Sequence, residues 1–393
     1  MERGGANPIG GEGVTAAVQD GRAAADPRPD WLDRPVGDGF EAMAGELGLP
    51  AYRGRQVRAW AYGRHVRAFA QMTDLPLGLR ERLDRETRVG GAVEAEQRAQ
   101  DGTAKILYGL ADGDWAEAVS LPHPYGRSVC ISSQVGCKMG CAFCASGLAG
   151  FGRHLSGGEM VGQVLALAAL DRDPVRRIVL MGMGEPLDNW DGFMAFCEAA
   201  HHPDGLGLSY RHITVSSVGL VPRLHRLIDE GPKVRLAISL HSADPEVRRS
   251  IMPVARAYGL DELVEVARRY EDWSGHRVTY EYALIRDVND TPAALDALLR
   301  FLRRAPGHVN LIPLNHVAES GLARSRPEDA ARFADGLAAA GVPVTFRREL
   351  GSEIDAACGQ LRRRAVADRR VVRDPGGPSE RPERGLRVHG APR

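Results

Sequence analysis

Residues 137–144 read Cys-Lys-Met-Gly-Cys-Ala-Phe-Cys, so Cys137, Cys141 and Cys144 follow the spacing C-x3-C-x2-C. Small residues between the thiols let the backbone wrap closely around one bound group. A structural zinc site usually takes four ligands, and no fourth cysteine or histidine stands at a suitable spacing. Three thiolates suit a [4Fe–4S] cluster that leaves one iron open. The segment therefore predicts such a cluster, with structural zinc as the alternative.

A repeated alternation of strand and helix patterns surrounds this segment and continues to residue 347. The apolar, β-branched runs are 128–133, 178–182, 212–217, 234–240, 278–284, 309–313 and 343–347. Helical periodicity lies between them, at 160–170, 260–270, 295–302 and 330–340. Such alternation predicts an α/β fold with a parallel sheet and right-handed crossovers. Six or seven units predict a partial (β/α)6 barrel over 128–361, with its active site at the carboxyl ends of the strands.

The amino-terminal third has a different pattern. Residues 36–100 predict a small helical module, because Phe40, Met43 and Leu47 recur at helical spacing. Within it, 51–88 carries nine arginines against four acidic residues, interleaved with aromatic side chains. Arginine with aromatics is typical of RNA binding, although a solvated helical face is the alternative. Residues 101–127 predict a linking β-hairpin that turns at Asp112-Gly113.

Both ends of the chain lack hydrophobic periodicity. Residues 1–35 are rich in glycine and alanine and predict a disordered extension. Residues 362–393 contain ten arginines against four acidic residues, which predicts a basic disordered tail. An auxiliary arm that contacts RNA is the alternative for this tail.

The composition limits the classes of protein that the chain can belong to. Its 393 residues are 44% hydrophobic and 26% charged, which is ordinary for a globular protein of two or three domains. The 51 basic residues balance 51 acidic ones, which disfavours a uniformly basic nucleic-acid coat. Six unevenly placed cysteines are too few for a disulfide framework. No apolar stretch suits a signal peptide or a membrane span, so we expect a cytoplasmic protein without a membrane partner.

Several longer motifs make a specific resemblance. They are Cys130-Ile-Ser-Ser-Gln-Val-Gly-Cys137, Met181-Gly-Met-Gly-Glu-Pro186, Ser239-Leu-His241, Asn310-Leu-Ile-Pro313 and Ile354-Asp-Ala-Ala-Cys-Gly-Gln-Leu361. The cysteine segment resembles that of the radical S-adenosylmethionine (SAM) superfamily. The whole set resembles the RlmN/Cfr family, whose members methylate an adenine of 23S ribosomal RNA. The likeness runs from about Phe40 to Leu361 and includes Gln71-Met-Thr-Asp-Leu-Pro76.

The resemblance implies a reaction and a role for each cysteine. Cys137, Cys141 and Cys144 would hold the [4Fe–4S] cluster, which cleaves SAM to a 5′-deoxyadenosyl radical. Two SAM molecules would be used per turnover: one methylates Cys358, and the radical from the other takes a hydrogen from that methyl group. The carbon radical then adds to adenine, and Cys130 resolves the protein–RNA adduct by forming a disulfide with Cys358. Cys197 has no matching role, so we predict a core residue.

The resemblance also implies a proton acceptor and a set of SAM contacts. Glu117 matches the acceptor, and a base is required because the ring carbon must lose its proton. Without the resemblance, Glu117 in a β segment would be taken for an exposed side chain. The residues that match SAM contacts are Gly184, Glu185, Ser216, Ser239, Leu240, His241 and Asn315, and all of them fall at predicted strand ends.

Regiochemistry, partners and one competing function stay open. We expect methylation at C2 of an adenine in the peptidyl-transferase loop of 23S rRNA, with the adenine beside the tRNA anticodon as a further substrate. Methylation at C8, which gives antibiotic resistance, is the alternative, because His316 and 347–351 depart from the RlmN-like pattern, whereas Val135 favours C2. A flavodoxin-like reductant and a monomeric state are expected. A non-catalytic iron–sulfur or zinc RNA-binding protein would need neither Cys130 nor Cys358.

Overall fold

The computed structural model describes residues 25–148, 150–171, 173–315 and 320–347. Its α-helices are α1 Gly39–Glu46, α2 Ala51–Arg58, α3 Leu77–Glu86, α4 Ala145–Leu148, α5 Gly157–Leu170, α6 Trp190–His201, α7 Val221–Glu230, α8 Pro245–Ile251, α9 Leu260–Ser274, α10 Pro292–Arg304 and α11 Pro327–Ala339. Its strands are β1 Val93–Arg98, β2 Ala104–Gly109, β3 Trp115–His123, β4 Gly126–Cys130, β5 Gln134–Gly136, β6 Phe151–His154, β7 Val175–Leu180, β8 Ile213–Ser217, β9 Arg235–Ser239, β10 Thr279–Leu284, β11 His308–Pro313 and β12 Val344–Phe346.

Ten strands form one sheet in the order β1-β2-β3-β4-β7-β8-β9-β10-β11-β12. The strands from β4 to β12 in this order run parallel, whereas β1 to β4 pair antiparallel. All seven predicted apolar runs are strands of the parallel part, and the helices between them are where the periodicity placed them. The predicted α/β barrel-type fold is confirmed.

The two faces of the parallel sheet differ in chemistry. Ile213 and Val215 alternate along β8 with Thr214 and Ser216. Ile213 and Val215 pack under the surrounding helices in one large core. The buried apolar residues of β4, β7, β9, β10 and β11 belong to the same core. Because strand side chains alternate between faces, the polar set lies on the opposite, concave face. The outer face therefore stabilises the fold, and the inner face is left for polar groups that can meet a ligand.

The predicted hairpin at Asp112-Gly113 is confirmed, since β2 pairs antiparallel with β3 from Ala104↔Ser120 to Gly109↔Trp115. The predicted helical module is shorter than expected. Its last helix, α3, ends at Glu86, and 93–98 form β1 along the edge of the sheet. The burial of β1 alternates with a period of two, a pattern that its charged residues concealed in the sequence.

The prediction of disorder over 1–35 is wrong for residues 30–33, which are ordered. Trp31 is fully buried and begins a short 3-10 helix, and its indole Nε1 donates to Thr87 Oγ1 at 2.9 Å. Buried Asp30 pairs with Arg88 at 2.8 Å. These isolated contacts have no periodicity, so the sequence could not reveal them. In the part of the chain that the structure describes, no helix is long and apolar enough to cross a membrane.

Candidate active site

The cysteine segment lies in a loop whose path is fixed by glycine. Strand β5 pairs with β6 and leads directly into Cys137. Gly136, at the end of β5, has φ +73°, and a Cβ there would lie 1.8 Å from the carbonyl oxygen of Gly150. Only glycine fits such a position, because it has no side chain and tolerates positive φ. The backbone N–H of Cys137 donates to the same carbonyl at 3.0 Å, which fixes the start of the loop.

Cys137, Cys141 and Cys144 line a common cavity of about 230 Å³. Burial raises the pKa of the Cys137 thiol to about 12, and burial followed by the charge of Cys144 raises the pKa of Cys141 as well. These thiols therefore stay protonated at neutral pH until a bound metal displaces their protons. Within the described residues, no group of three cysteine, histidine or carboxylate side chains already surrounds a single metal-ion position.

The cavity opens at the carboxyl ends of the parallel strands, where the barrel geometry predicts a site. Six of the seven residues that match SAM contacts line it together with the three cysteines: Gly184, Glu185, Ser216, Ser239, His241 and Asn315. Leu240 does not line it. Its side chain is buried in the apolar core, and its carbonyl oxygen accepts a hydrogen bond from Arg248 Nε.

Glu185 lines this cavity and has one carboxylate oxygen that is buried without a hydrogen bond among the described residues. Its side chain is 2% exposed, and Oε2 accepts from the backbone N–H of Val218 at 2.9 Å. Oε1 is buried without a hydrogen-bond partner among the described residues. Burial raises the pKa of Glu185 to about 7. A buried acceptor of this kind is costly unless a donor or cation completes it, so the site fits a ligand that carries an ammonium group.

Gly184 brings its backbone into the cavity next to Glu185. It has φ +106°, and a Cβ there would lie 2.6 Å from Cβ of Gln134. The backbone N–H of Glu185 donates to the Gln134 side chain at 2.9 Å. The tight turn after β7 therefore depends on glycine, and its close packing fixes the direction of the Glu185 carboxylate.

His241 is held as a neutral imidazole with one free donor. Burial, followed by the charge of Arg248, lowers its pKa to about 3. Its Nδ1 accepts from the backbone N–H of Ala283 at 2.9 Å, so Nε2 carries the proton. The residue has φ +53°, and its ring meets Phe143 of the cysteine loop at 4.6 Å. Backbone strain at a non-glycine residue is typical of ligand-binding positions.

Sequence reasoning missed two charged residues of the cavity region. Glu281 lines the cavity, accepts from Asn310 Nδ2 at 2.8 Å, and has its pKa raised by burial. Arg248 is 1% exposed, and its guanidinium donates to the carbonyls of Leu240 at 3.1 Å and Val218 at 2.9 Å. No carboxylate of the described residues lies within ion-pair distance of it, and burial lowers its pKa to about 10. Their positions on a strand and a helix carry no motif that could have revealed them.

We expect Arg248→Gln to destabilise the protein by about 2–5 kcal/mol, because it leaves buried carbonyls at the ends of β8 and β9 without donors. The urea midpoint of unfolding measures this loss. Arg249→Gln is the matched control, since the half-buried Arg249 pairs among the described residues with exposed Glu246. Its effect should stay within about 0.5 kcal/mol. Equal stability of the two variants would contradict the role assigned to the buried guanidinium.

The register of the sheet places Cys130 and Glu117 on the same face as the cavity. Cys130 pairs with Val119 on one side, and Glu117 lies two residues before Val119. On its other side, Cys130 pairs with Val179 of β7, which pairs with Thr214 of β8. Paired residues share a face, and so do residues two apart, so both side chains lie on the concave face that carries Ser216.

Glu117 is not the exposed side chain that its local sequence suggested. It is 3% exposed, and its Oε2 lies 2.9 Å from Nζ of Lys105, which is itself fully buried. Lys105 pairs with Val119 in the β2–β3 ladder and therefore also points to the concave face. The ammonium offsets the cost of burying the carboxylate and holds it beside the strand of Cys130.

The cysteines outside the cluster loop are Cys130, Cys197 and Cys358. Cys197 is a core residue as predicted, buried on α6 next to Phe193 and Phe196. Cys130 is buried at the end of β4. Cys358, His316 and the predicted departures at 348–351 lie outside the described residues.

Comparison with known proteins identifies two segments of the chain. Residues 131–302 match the radical SAM superfamily, and residues 37–89 match the ribosomal RNA large subunit methyltransferase N-terminal domain. Radical SAM proteins use a [4Fe–4S] cluster and SAM, so these are the cofactors of this chain. Three thiols in one cavity and the unsatisfied carboxylate oxygen of Glu185 fit those two groups.

Full-length relatives agree. A probable dual-specificity RNA methyltransferase RlmN from Symbiobacterium thermophilum is 45% identical over 84% of this chain and 91% of the relative. The protein of the same name from Desulforamulus reducens is 43% identical over 81% and 92%. A crystal structure of a radical SAM methyltransferase from Sphaerobacter thermophilus matches with a TM-score of 0.80 and 40% identity, over 84% of this chain and 98% of that one. The chain belongs to the RlmN family of radical SAM RNA methyltransferases.

Proposed function

We propose that this enzyme methylates C2 of an adenine in the peptidyl-transferase loop of 23S rRNA, and also the adenine beside the tRNA anticodon. One observation carries the proposal: Cys130 and the Lys105–Glu117 ion pair do not line the cavity of the three cysteines, but they lie on the same sheet face as Ser216, which does line it. A proton acceptor and a nucleophilic thiol therefore share one face of the sheet with the cofactor site. The curated relatives bear the name of dual-specificity RNA methyltransferases, which supports two RNA substrates.

Specific residues would hold the cofactors. Cys137, Cys141 and Cys144 would bind the cluster, and the free Oε1 of Glu185 would accept from the ammonium of SAM. The other cavity-lining matches, Gly184, Ser216, Ser239, His241 and Asn315, would contact SAM through backbone, hydroxyl, imidazole and amide groups. When bound, the cluster and SAM would supply the one-electron chemistry that cleaves an unactivated C–H bond and would accept the odd electron left on the ring after the addition, which no side chain can do.

The side chains then move one proton and exchange one sulfur bond. The carboxylate of Glu117 takes the proton from the adenine ring carbon, and the ammonium of Lys105 keeps that carboxylate in place. The thiolate of Cys130 attacks the sulfur of Cys358, so that the S–S bond forms while the bond from Cys358 sulfur to the methylene carbon breaks. The released electron pair stays with that carbon, which takes a proton to become the methyl group. The disulfide must be reduced by an external thiol before another turnover.

The amino-terminal module would bind the phosphate backbone and the unstacked bases of the RNA. Arg64 lies over the ring of Trp60 at 3.9 Å, and Arg53 lies over exposed Tyr52 at 4.7 Å. Arginines stacked on aromatic rings offer both a phosphate contact and a stacking platform. We further propose that the enzyme works in the cytoplasm, because its RNA substrates are found there. We also propose that it is a monomer and that a flavodoxin-like protein reduces its cluster.

The reconstituted enzyme should convert an adenine of a 23S rRNA transcript to 2-methyladenosine. The enzyme is loaded with iron and sulfide without oxygen, reduced and given SAM, and the digested RNA is analysed by mass spectrometry. The holoenzyme should absorb near ~400 nm, and Cys141→Ala should lose both that band and the product.

Three other outcomes of this experiment would each contradict a different part of the proposed function. A product of 8-methyladenosine would replace C2 with C8 chemistry. Absence of SAM cleavage by a fully loaded holoenzyme would reject the enzyme reaction. SAM cleavage without any methylated nucleoside, from either rRNA or tRNA, would reject the proposed substrates while leaving the radical chemistry intact.

A further inference from the structure

A cluster of cations lies at the amino edge of the parallel sheet, at the end opposite the cavity. Strands β7, β8, β9 and β10 are neighbours and begin at this edge. Exposed basic residues stand at or just before the start of each of them. They are Arg176, Arg177, Arg211, Lys233, Arg235 and Arg277, which we call the basic edge.

The members of the basic edge lie close to one another. In register, Ile178 pairs with Ile213 and Thr214 pairs with Arg235, so the residues before these strands are side by side. Arg235 Nε donates to the backbone carbonyl of Arg211 at 2.9 Å. The pKa of His212 is lowered by burial and then by four surrounding arginines of the basic edge. Burial and then the charges of Arg235 and Lys233 likewise lower the pKa of His276.

Acidic partners are missing where they would be expected. Among the described residues, no carboxylate lies within ion-pair distance of any member of the basic edge, and nearby Asp173 lies against Arg127 instead. Exposed arginines on the outer helices behave differently: Arg226, Arg304 and Arg332 each pair with a carboxylate. Crowding like charges without counter-ions costs folding free energy, so this arrangement is typical of a surface that binds an anion.

Aromatic rings, one exposed and one half-buried, accompany the cations. Tyr125 is 44% exposed, lies under the guanidinium of Arg177 at 4.7 Å, and stacks on His123 at 4.8 Å. Lys233 lies over the ring of Trp273 at 5.4 Å. Phosphate-binding cations combined with flat rings are the features that nucleic-acid surfaces share.

The position of the basic edge favours RNA over an acidic protein such as the reductant. Strand β7 has six residues, so its two ends are about 20 Å apart. An electron donor bound here would lie at the end of the sheet farthest from the cysteine cavity, which gives no advantage for electron transfer. A long folded RNA, in contrast, can place one base in the cavity while its backbone extends along the side of the protein to the far edge.

We propose that the basic edge is a second binding surface for the phosphate backbone of the RNA substrate, remote from the target adenine. The inference rests on the proposed function, because it takes the methylated RNA as the ligand. It adds a contact that neither the amino-terminal module nor the cavity supplies. Since the contact is with phosphates, it strengthens binding in a salt-dependent way without reading the sequence.

The test compares two triple variants of the holoenzyme on a 23S rRNA transcript. Arg176→Gln/Arg211→Gln/Lys233→Gln removes three cations of the basic edge. The matched control, Arg226→Gln/Arg304→Gln/Arg332→Gln, removes the same charge from exposed arginines that already have carboxylate partners. Each lost phosphate contact should lower the slope of log Kd against log salt by about 0.7–0.9. Between about 50 and 200 mM salt, wild-type affinity should therefore fall about 20- to 40-fold more than that of the basic-edge variant.

Methylation kinetics complete the test. The basic-edge variant should show a raised KM for RNA with an unchanged kcat at saturating RNA, and the control should match the wild type in both. An unchanged salt slope and an unchanged KM in the basic-edge variant would overturn the inference. Normal RNA binding combined with slower reduction by flavodoxin would also overturn it, because that result would indicate a binding site for the reductant. If the wild-type enzyme cleaves SAM but methylates no RNA, the proposed function fails. That result comes from the wild type alone, so it is distinguishable from a failure of the basic-edge inference.

Discussion

Cys130→Ala should stop the enzyme within its first turnover and leave the RNA covalently attached to the protein. In the proposed reaction this thiol attacks Cys358 sulfur, whereas the cluster loop and the SAM cavity lie on other elements and should stay intact. SAM cleavage and attack on adenine therefore continue until every molecule carries an adduct. Multiple-turnover methylation should fall at least about 10³-fold, as expected when a nucleophile is lost. Labelled RNA that migrates with the protein on a denaturing gel measures the adduct.

Two controls separate this effect from damage to the fold. Cys197→Ala also removes a buried thiol, but from the core beside α6, so it should lower stability without trapping RNA. Cys130→Ala/Cys358→Ala lacks the methyl carrier, so it should form neither product nor adduct. Normal turnover by Cys130→Ala would exclude the resolving role. A loss of product without adduct would indicate that Cys130 acts before the carbon–carbon bond forms.

Local signals in the sequence predicted most of the fold and part of the site. The seven parallel strands were visible because each is a short apolar run between helical patterns, and the cysteine loop was visible because its three thiols are adjacent in sequence. The end of the helical module was not visible, because the charged residues of β1 obscure its alternation. Trp31 was missed because a single buried side chain produces no periodicity.

The remaining site features depend on contacts between residues that are distant in sequence. Lys105 is paired with Glu117 only because β2 and β3 pair in one particular register. Arg248 reaches the carbonyls of Val218 and Leu240 only after α8 packs against the ends of β8 and β9. The basic edge is likewise assembled from the starts of four strands, so a chain with zero net charge carries a strongly basic surface. Pairing register and strand order are properties of the folded chain, which one sequence does not encode in any local pattern.

Glu185→Gln should weaken SAM binding about 30- to 1000-fold and stabilise the protein at the same time. The binding loss follows from removing a buried carboxylate whose free oxygen would accept from the SAM ammonium. Asp188→Asn is the control, because that nearby carboxylate already pairs with Lys138 at 2.8 Å and does not line the cavity. SAM affinity of the reconstituted enzyme, measured by equilibrium dialysis, should change little in the control. Equal affinity of wild type and Glu185→Gln would exclude Glu185 as the ammonium partner.

The stability gain has a defined pH dependence. Burial raises the pKa of Glu185 from its usual 4.5 to about 7, so the folded state favours the protonated form. The contribution of Glu185 to stability is therefore fully present below about pH 4.5 and is lost progressively as pH rises through 7, by on the order of 3 kcal/mol. Glutamine is neutral at every pH and avoids this cost. In urea unfolding without SAM, the advantage of Glu185→Gln should be about 2 kcal/mol larger at pH 8 than at pH 5.5.

The same titration should control binding in the opposite direction. Only the ionised Glu185 attracts an ammonium, so wild-type affinity for SAM should rise as pH increases through about 7, whereas the affinity of Glu185→Gln should stay flat. A carboxylate that destabilises the free protein and is stabilised by its ligand reflects a trade of stability for function. If the two pH profiles coincide, then burial of Glu185 serves the fold and not SAM. A buried carboxylate whose charge is stabilised by a cationic ligand accounts for opposite pH trends in stability and in SAM affinity.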